Sequence, residues 1–94
     1  MLLKIGKDGK DMYKVLDEKI VYVIDGLVKG EVLFKLDSGS MDIYHTYVSE
    51  DLRGKGIAHK LVDMAIDYGV KKGYKIKCSC SYARKVALKR KIME

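Results

Sequence analysis

The 94-residue chain predicts a single mixed α/β domain over residues 1–94, a mostly antiparallel sheet with packed helices. Three observations lead there. Apolar residues follow the period of strands up to Val48 and the period of a helix from Ile57. Turn signals, Asp25-Gly26 and Asp37-Ser-Gly-Ser40, separate the strand-like runs. No proline, internal repeat or Ser- or Gly-rich linker divides the chain.

The elements follow in order. Leu2 to Ile5 and Met12 to Leu16 each suit an edge strand, with no periodicity to decide it. Ile20 to Ile24 is a β-branched and aromatic run ending on Asp25-Gly26, the signature of a tight hairpin. Leu27 to Leu36 sets Val28, Val32, Phe34 and Leu36 against Lys29, Glu31 and Lys35. After the second turn, Met41 to Val48 completes an antiparallel meander. The period then changes: Ile57, Leu61, Val62, Ala65, Tyr68 and Gly69 recur at helical spacing, with Lys60, Asp63, Asp67 and Lys71 between them. Lys71-Lys72-Gly73 ends that helix, because basic residues complement its dipole and glycine offers a stop. Tyr74 to Cys80 alternates as one more strand, and Ala83 to Ile92 suits a short last helix.

Composition narrows the setting. About half the residues are apolar, which argues against disorder. No apolar run approaches the roughly 18 residues of a membrane span, and the first ten residues do not read as a signal peptide. A cytoplasmic protein with no membrane partner is expected. Cys78 and Cys80, two apart, give no disulfide framework. The formal charge of +6 is spread widely, with its densest block from Arg84 to Lys91, and favours anionic partners.

The stretch Val48 to Ala58 carries the chemistry. It leaves a strand, passes two glycines two apart, and opens an amphipathic helix. Such a loop gathers main-chain N–H groups and the positive end of a helix around one point, which suits a phosphate or diphosphate. Arg53 and Lys55 add positive charge. A dinucleotide fingerprint is unlike it, since His59 replaces the third glycine and the loop follows an antiparallel meander. No P-loop motif occurs either.

The residues Arg53-x-x-Gly56-x-Ala58 resemble the Arg/Gln-x-x-Gly-x-Gly/Ala motif of the GNAT superfamily of acyl-CoA-dependent N-acetyltransferases. More narrowly, His45-Thr46-x-Val48, Leu52 to Ala58 and Cys80-Ser-Tyr82 together resemble a group of very small GNAT-like proteins. The resemblance covers roughly residues 20 to 85. It implies a GNAT fold, acetyl-CoA as cofactor and an amine as acceptor. It implies main-chain contacts to the coenzyme A diphosphate from Arg53, Gly54, Lys55, Gly56, Ile57 and Ala58. It also implies that the pantetheine arm enters between two splayed strands, Tyr44 to Val48 and Tyr74 to Cys80, pairing with Thr46 and Val48. Glycine at 54 and 56 would let the anion approach where a β-carbon stands in the way.

Three side chains are candidates for catalysis. Cys80 either accepts the acetyl group or lines the acyl pocket. His45 serves as a base, or polarises Cys80 if their strands are neighbours. Simple alternation puts His45 and Tyr47 on one face, and Tyr44, Thr46 and Val48 on the other. Tyr82 matches the tyrosine that, in the superfamily, protonates the leaving thiolate. Cys78, where the small group often has proline, has no assigned role, and His59 is expected to face solvent or a nucleotide phosphate. No metal is expected, because Cys-x-Cys lacks the usual ligand spacing. The alternatives are a small basic nucleic-acid-binding module and a coenzyme-A-binding module without transferase activity.

Overall fold

Two pairs of residues in the left-handed region of backbone space fix the register of the meander. Asp25 (φ 50°) with Gly26 (φ 81°) joins Lys19–Ile24 to Leu27–Asp37, and Ser38 (φ 47°) with Gly39 (φ 84°) joins the latter to Ser40–Val48. Positive φ at both central residues gives a turn whose twist matches that of the strands it connects. The computed structural model describes the main chain of residues 2–5 and 11–91, and the side chains of residues 11–91. Ile92 therefore lies outside the described residues.

Among the described residues, six strands form one sheet in chain order: β1 (Leu2–Ile5), β2 (Asp11–Val15), β3 (Lys19–Ile24), β4 (Leu27–Asp37), β5 (Ser40–Val48) and β6 (Lys75–Cys78). All neighbours are antiparallel except β5 and β6, which are parallel. Both uncertain N-terminal segments are strands. Two helices, α1 (Ile57–Lys71) and α2 (Ser81–Lys89), complete the described chain. The mixed α/β class is thus the observed one. The last helix begins two residues before the expected Ala83 because Cys80 already has extended N-cap geometry, and the Arg84 N–H bonds the Cys80 carbonyl at 2.9 Å.

One core lies between the sheet and the two helices. Leu61, Val62, Ala65 and Ile66 of α1 and Ala83, Val86 and Ala87 of α2 pack on Ile20, Val32, Phe34, Met41 and Ile43. The opposite face of the sheet has no helix among the described residues; it carries Lys14, Glu31, Lys35, His45 and Tyr47.

A bulge decides which β5 side chains reach the core. Phe34 pairs with Ile43, but Leu33 pairs with His45, so Tyr44 is an extra residue without a partner in β4. Alternation therefore skips a beat. Met41 and Ile43 face the core, and so do Thr46, opposite buried Val32, and buried Val48. Tyr44 lines a shallow pocket with Leu16, Lys19 and Leu33 on the helix-free face. The simple alternation expected for Tyr44 fails for this reason.

Candidate functional site

The loop after β5 is built to leave main-chain donors free. Asp51 anchors its start, accepting from the Ser49 hydroxyl and pairing with Lys29 Nζ at 3.4 Å. The Ser49 bond, followed by Lys29, holds the Asp51 carboxyl below its ordinary range. A short 3₁₀ turn over Glu50–Leu52 follows, and then Gly54 (φ 83°) and Gly56 (φ 79°) turn the chain into α1. Gly56 is the N-cap, has no side-chain cap, and accepts from Lys60 N at 3.0 Å. That leaves the N–H groups of Ile57, Ala58 and His59 without an acceptor among the described residues. The space where a β-carbon would stand at Gly54 or Gly56 is open to 4 Å. Within the protein it is positive φ that requires glycine there, and no neighbouring atom obstructs a larger residue.

Two adjoining cavities extend from this loop. One, of about 220 Å³, is lined by Val48, Arg53, Gly54, Gly56, Ala58 and Tyr82, among others. The next, of about 310 Å³, shares Val48, Arg53, Ala58 and Tyr82 and reaches Thr46. Together they form a cleft between β5 and the start of α2. A larger cavity of about 790 Å³ lies near the other end of α1, beside Val15, Tyr68 and Lys72, and is lined by none of the candidate catalytic or cofactor-binding residues.

The cleft exists because β5 and β6 part. Their parallel pairing ends at Ile43 and Cys78. The Ser79 and Cys80 N–H groups both bond the Ile43 carbonyl, at 3.0 and 3.1 Å, and the chain then turns into α2. Beyond Tyr44, the orientation of β5 is set by Ser49, whose N–H bonds Lys29 O at 2.7 Å on the β4 side. By alternation, the main-chain groups of Thr46 and Val48 point to the open edge. The Val48 carbonyl already accepts from Arg53 Nε at 3.3 Å.

The side chains divide between the two faces. Cys80 Sγ lies 3.6 Å from Thr46 Oγ1 on the core side. Tyr82 lines both cavities, and partial burial, with Asp63 second, raises its hydroxyl above the ordinary tyrosine value. His45 stands on the opposite face, its Nε2 4.0 Å from Glu31 Oε2. Its expected partnership with Cys80 is not formed, because the bulge puts Thr46, not His45, on the Cys80 side. His59 pairs with Asp63 at 3.0 Å on the exposed side of α1.

A family model described as GCN5-related N-acetyl-transferase matches residues 19–92. The chain belongs to the GCN5-related N-acetyltransferases. The acyl-CoA-dependent class expected from the sequence is the class this family match assigns. Among solved structures, a GCN5-like protein from Staphylococcus aureus, studied by NMR, is 26% identical with a TM-score of 0.66, covering 83% of this chain and 78% of that one. A ribosomal-protein-alanine N-acetyltransferase from Brucella melitensis is 25% identical with a TM-score of 0.60, covering 77% of this chain and 61% of that one. An aminoglycoside N-acetyltransferase solved with coenzyme A shares the fold at 18% identity and a TM-score of 0.59, and the chain spans only 62% of its length. Among curated proteins, none matches the chain.

For a GCN5-related protein of this size, the described residues bring Thr46, Val48, Arg53, Gly54, Gly56, Ile57, Ala58 and Tyr82 to one cleft, with Cys80 against Thr46. They leave His45 on the far side of the sheet. Lys55 is exposed on the loop. In the basic C-terminal block, Arg90 is committed to Asp63 at 3.2 Å and Asp67 at 2.7 Å. Sequence reasoning missed three residues: Glu31 beside His45, and Asp42 with Ser79 where the strands part. An acidic residue inside a strand, such as Asp42, is disfavoured there and was the available signal. No helix among the described residues is long and apolar enough to cross a membrane.

Proposed function

We propose that the cleft binds acetyl-CoA and that the acetyl group passes directly to an amine entering from the helix-free face of the sheet. The observation that carries this is the parting of β5 and β6 at Ile43, beside a loop whose helix-initiating amides are free. The chemistry of that pair fits the cofactor. Free amides at Gly54 to Ala58 suit the diphosphate, and the open edge at Thr46 and Val48 suits an amide-bearing pantetheine arm. Arg53 has two uses, bonding Val48 O and leaving its remaining guanidinium donors for a phosphate.

Acetyl-CoA supplies an activated acyl group as a thioester; the residues manage protons and position. The acceptor nitrogen bonds to the acyl carbon as the carbon–sulfur bond breaks. His45, oriented by Glu31, takes the proton from the nitrogen. Tyr82 gives a proton to the departing sulfur, and its raised pKa keeps that proton in place at neutral pH. Cys80 lines the acyl end beside Thr46, where no base from the described residues accompanies it. A second reading, transient acetylation of Cys80, is favoured by its position as the N-cap of α2.

Thermal denaturation tests the reading. At ten times its Kd, acetyl-CoA stabilises by about 1.4 kcal/mol, a rise of roughly 6–11 °C for a domain of this size. Gly56→Glu should abolish the rise, since it adds bulk and negative charge at the loop. A wild-type protein unmoved by millimolar acetyl-CoA overturns the proposal. Mass spectrometry decides the role of Cys80: an acetyl adduct that Cys80→Ser lacks would replace direct transfer by the two-step route.

A further inference from the structure

Asp42 and Ser79 have no part in the proposed reaction, yet they form the densest set of hydrogen bonds where the strands part. The Ser79 N–H bonds Asp42 Oδ1 at 2.9 Å and Ile43 O at 3.0 Å. The Ser79 hydroxyl lies 2.8 Å from Asp42 Oδ2 and 3.0 Å from Oδ1. The next N–H, that of Cys80, reaches the same Ile43 carbonyl at 3.1 Å. Two consecutive main-chain donors and one hydroxyl thus converge on two consecutive residues of β5.

This convergence has a structural consequence. A regular parallel ladder would carry β6 on beside Tyr44 to Val48 and close the edge. Here the carboxylate competes for the Ser79 N–H, and bonds to an ionised acceptor are roughly twice as strong as neutral ones. Pairing stops at Cys78, and the chain turns at once into α2. Cys80 is then left with Sγ 3.6 Å from Thr46 Oγ1, and Tyr82 faces Arg53 and Ala58 across the cleft.

We infer that Asp42 and Ser79 are a clamp that sets the opening of the acyl end of the cleft. They are positioning residues, acting through Cys80 and Tyr82. The inference rests on the reading of the cleft as an acetyl-CoA site. It adds that recognition of the acyl and pantetheine end depends on the clamp, while recognition of the diphosphate does not.

An NMR titration of the full chain with acetyl-CoA separates the two. In the wild type, amide shifts are expected both at Gly54 to Ala58 and at Thr46, Cys80 and Tyr82. In Asp42→Ala the loop shifts persist, those at Thr46 and Cys80 are lost, and affinity falls by about tenfold, as expected for deleting charge-assisted bonds. Ser79→Ala, which loses only the hydroxyl bonds, weakens binding by about threefold. Asp42→Asn keeps an oxygen for the Ser79 N–H and stays within about twofold of wild type. If Asp42→Ala does not give a folded spectrum, Ser79→Ala decides. Asp42→Ala or Ser79→Ala binding with wild-type affinity and pattern, or losing the loop shifts equally, overturns the clamp. A wild type showing no shifts at all overturns the cleft assignment itself, a separate result.

Discussion

Cys78 and Cys80 are two residues apart yet differ in exposure. Cys78 is 8% exposed in the core, and burial, with Asp42 second, pushes its thiol up to about 11. At pH 8 only about a thousandth of it is thiolate. Cys80 is half-buried, with its Sγ 3.6 Å from Thr46 Oγ1. Iodoacetamide at pH 8 is therefore expected to add one carbamidomethyl group, located by peptide mapping on Cys80 and absent from Cys80→Ser. Equal labelling of both cysteines would mean that β6 is not docked as described. Gly56 teaches a related lesson. Its need for glycine was legible in the sequence, but the cause in the protein is a φ of 79°, with open space around the missing β-carbon. Sequence shows that a position is special more readily than it shows why.

At the level of elements, α1 lies close to the sheet because one residue of its buried face has no side chain. A β-carbon on Gly69 would stand 2.6 Å from Ile76 Cδ1 and 2.9 Å from Met41 Sδ, both in the core. Gly69→Ala gains about 1 kcal/mol of helix propensity but incurs overpacking of about 1–3 kcal/mol. The net expectation is a melting temperature lowered by several degrees, read by calorimetry. Val70→Ala, on the exposed side of the helix, should leave it within about 0.5 kcal/mol. An unchanged Gly69→Ala would show that Met41 and Ile76 move aside freely. The helix itself was legible because apolar spacing and a glycine stop agree over fifteen residues. So were the hairpins, which rest on local dipeptides. The bulge at Tyr44 was not legible, since an extra residue leaves no mark in composition, yet it shifts the face of every later residue relative to Met41 and Ile43. That shift puts Thr46, rather than His45, on the core side with Cys80. The parting of β5 and β6 was implied by family resemblance alone; its physical cause depends on Asp42 meeting Ser79, thirty-seven residues away.

Across the whole molecule, acid and base chemistry is unevenly distributed between core and surface. Among the described residues no charged side chain is buried, while the sheet buries Tyr13 and Tyr22 side by side, with ring centroids 4.7 Å apart. Burial, then Tyr22 and Asp11, pushes Tyr13 up to about 12. Tyr22 is raised as well, by burial and by its hydrogen bond to Asp11 at 3.1 Å. The sign of the linkage follows. Below the ordinary tyrosine value near 10 the folded and unfolded chains bind this proton equally, and the native state keeps its full stability. Between about pH 10 and about 12 the unfolded chain releases the Tyr13 proton while the folded chain retains it, so stability falls as pH rises. The loss is on the order of 2 kcal/mol for this group. Urea denaturation at pH 7 to 11.5 should show an alkaline decline that is shallower in Tyr13→Phe, with the two proteins diverging only above about pH 10. Lysine deprotonation contributes equally to both proteins and cancels in the comparison. Parallel curves throughout would mean that Tyr13 titrates in the folded protein as it does in the unfolded chain. The β2–β3 end of the sheet would then be open to solvent, with its core boundary drawn at β3.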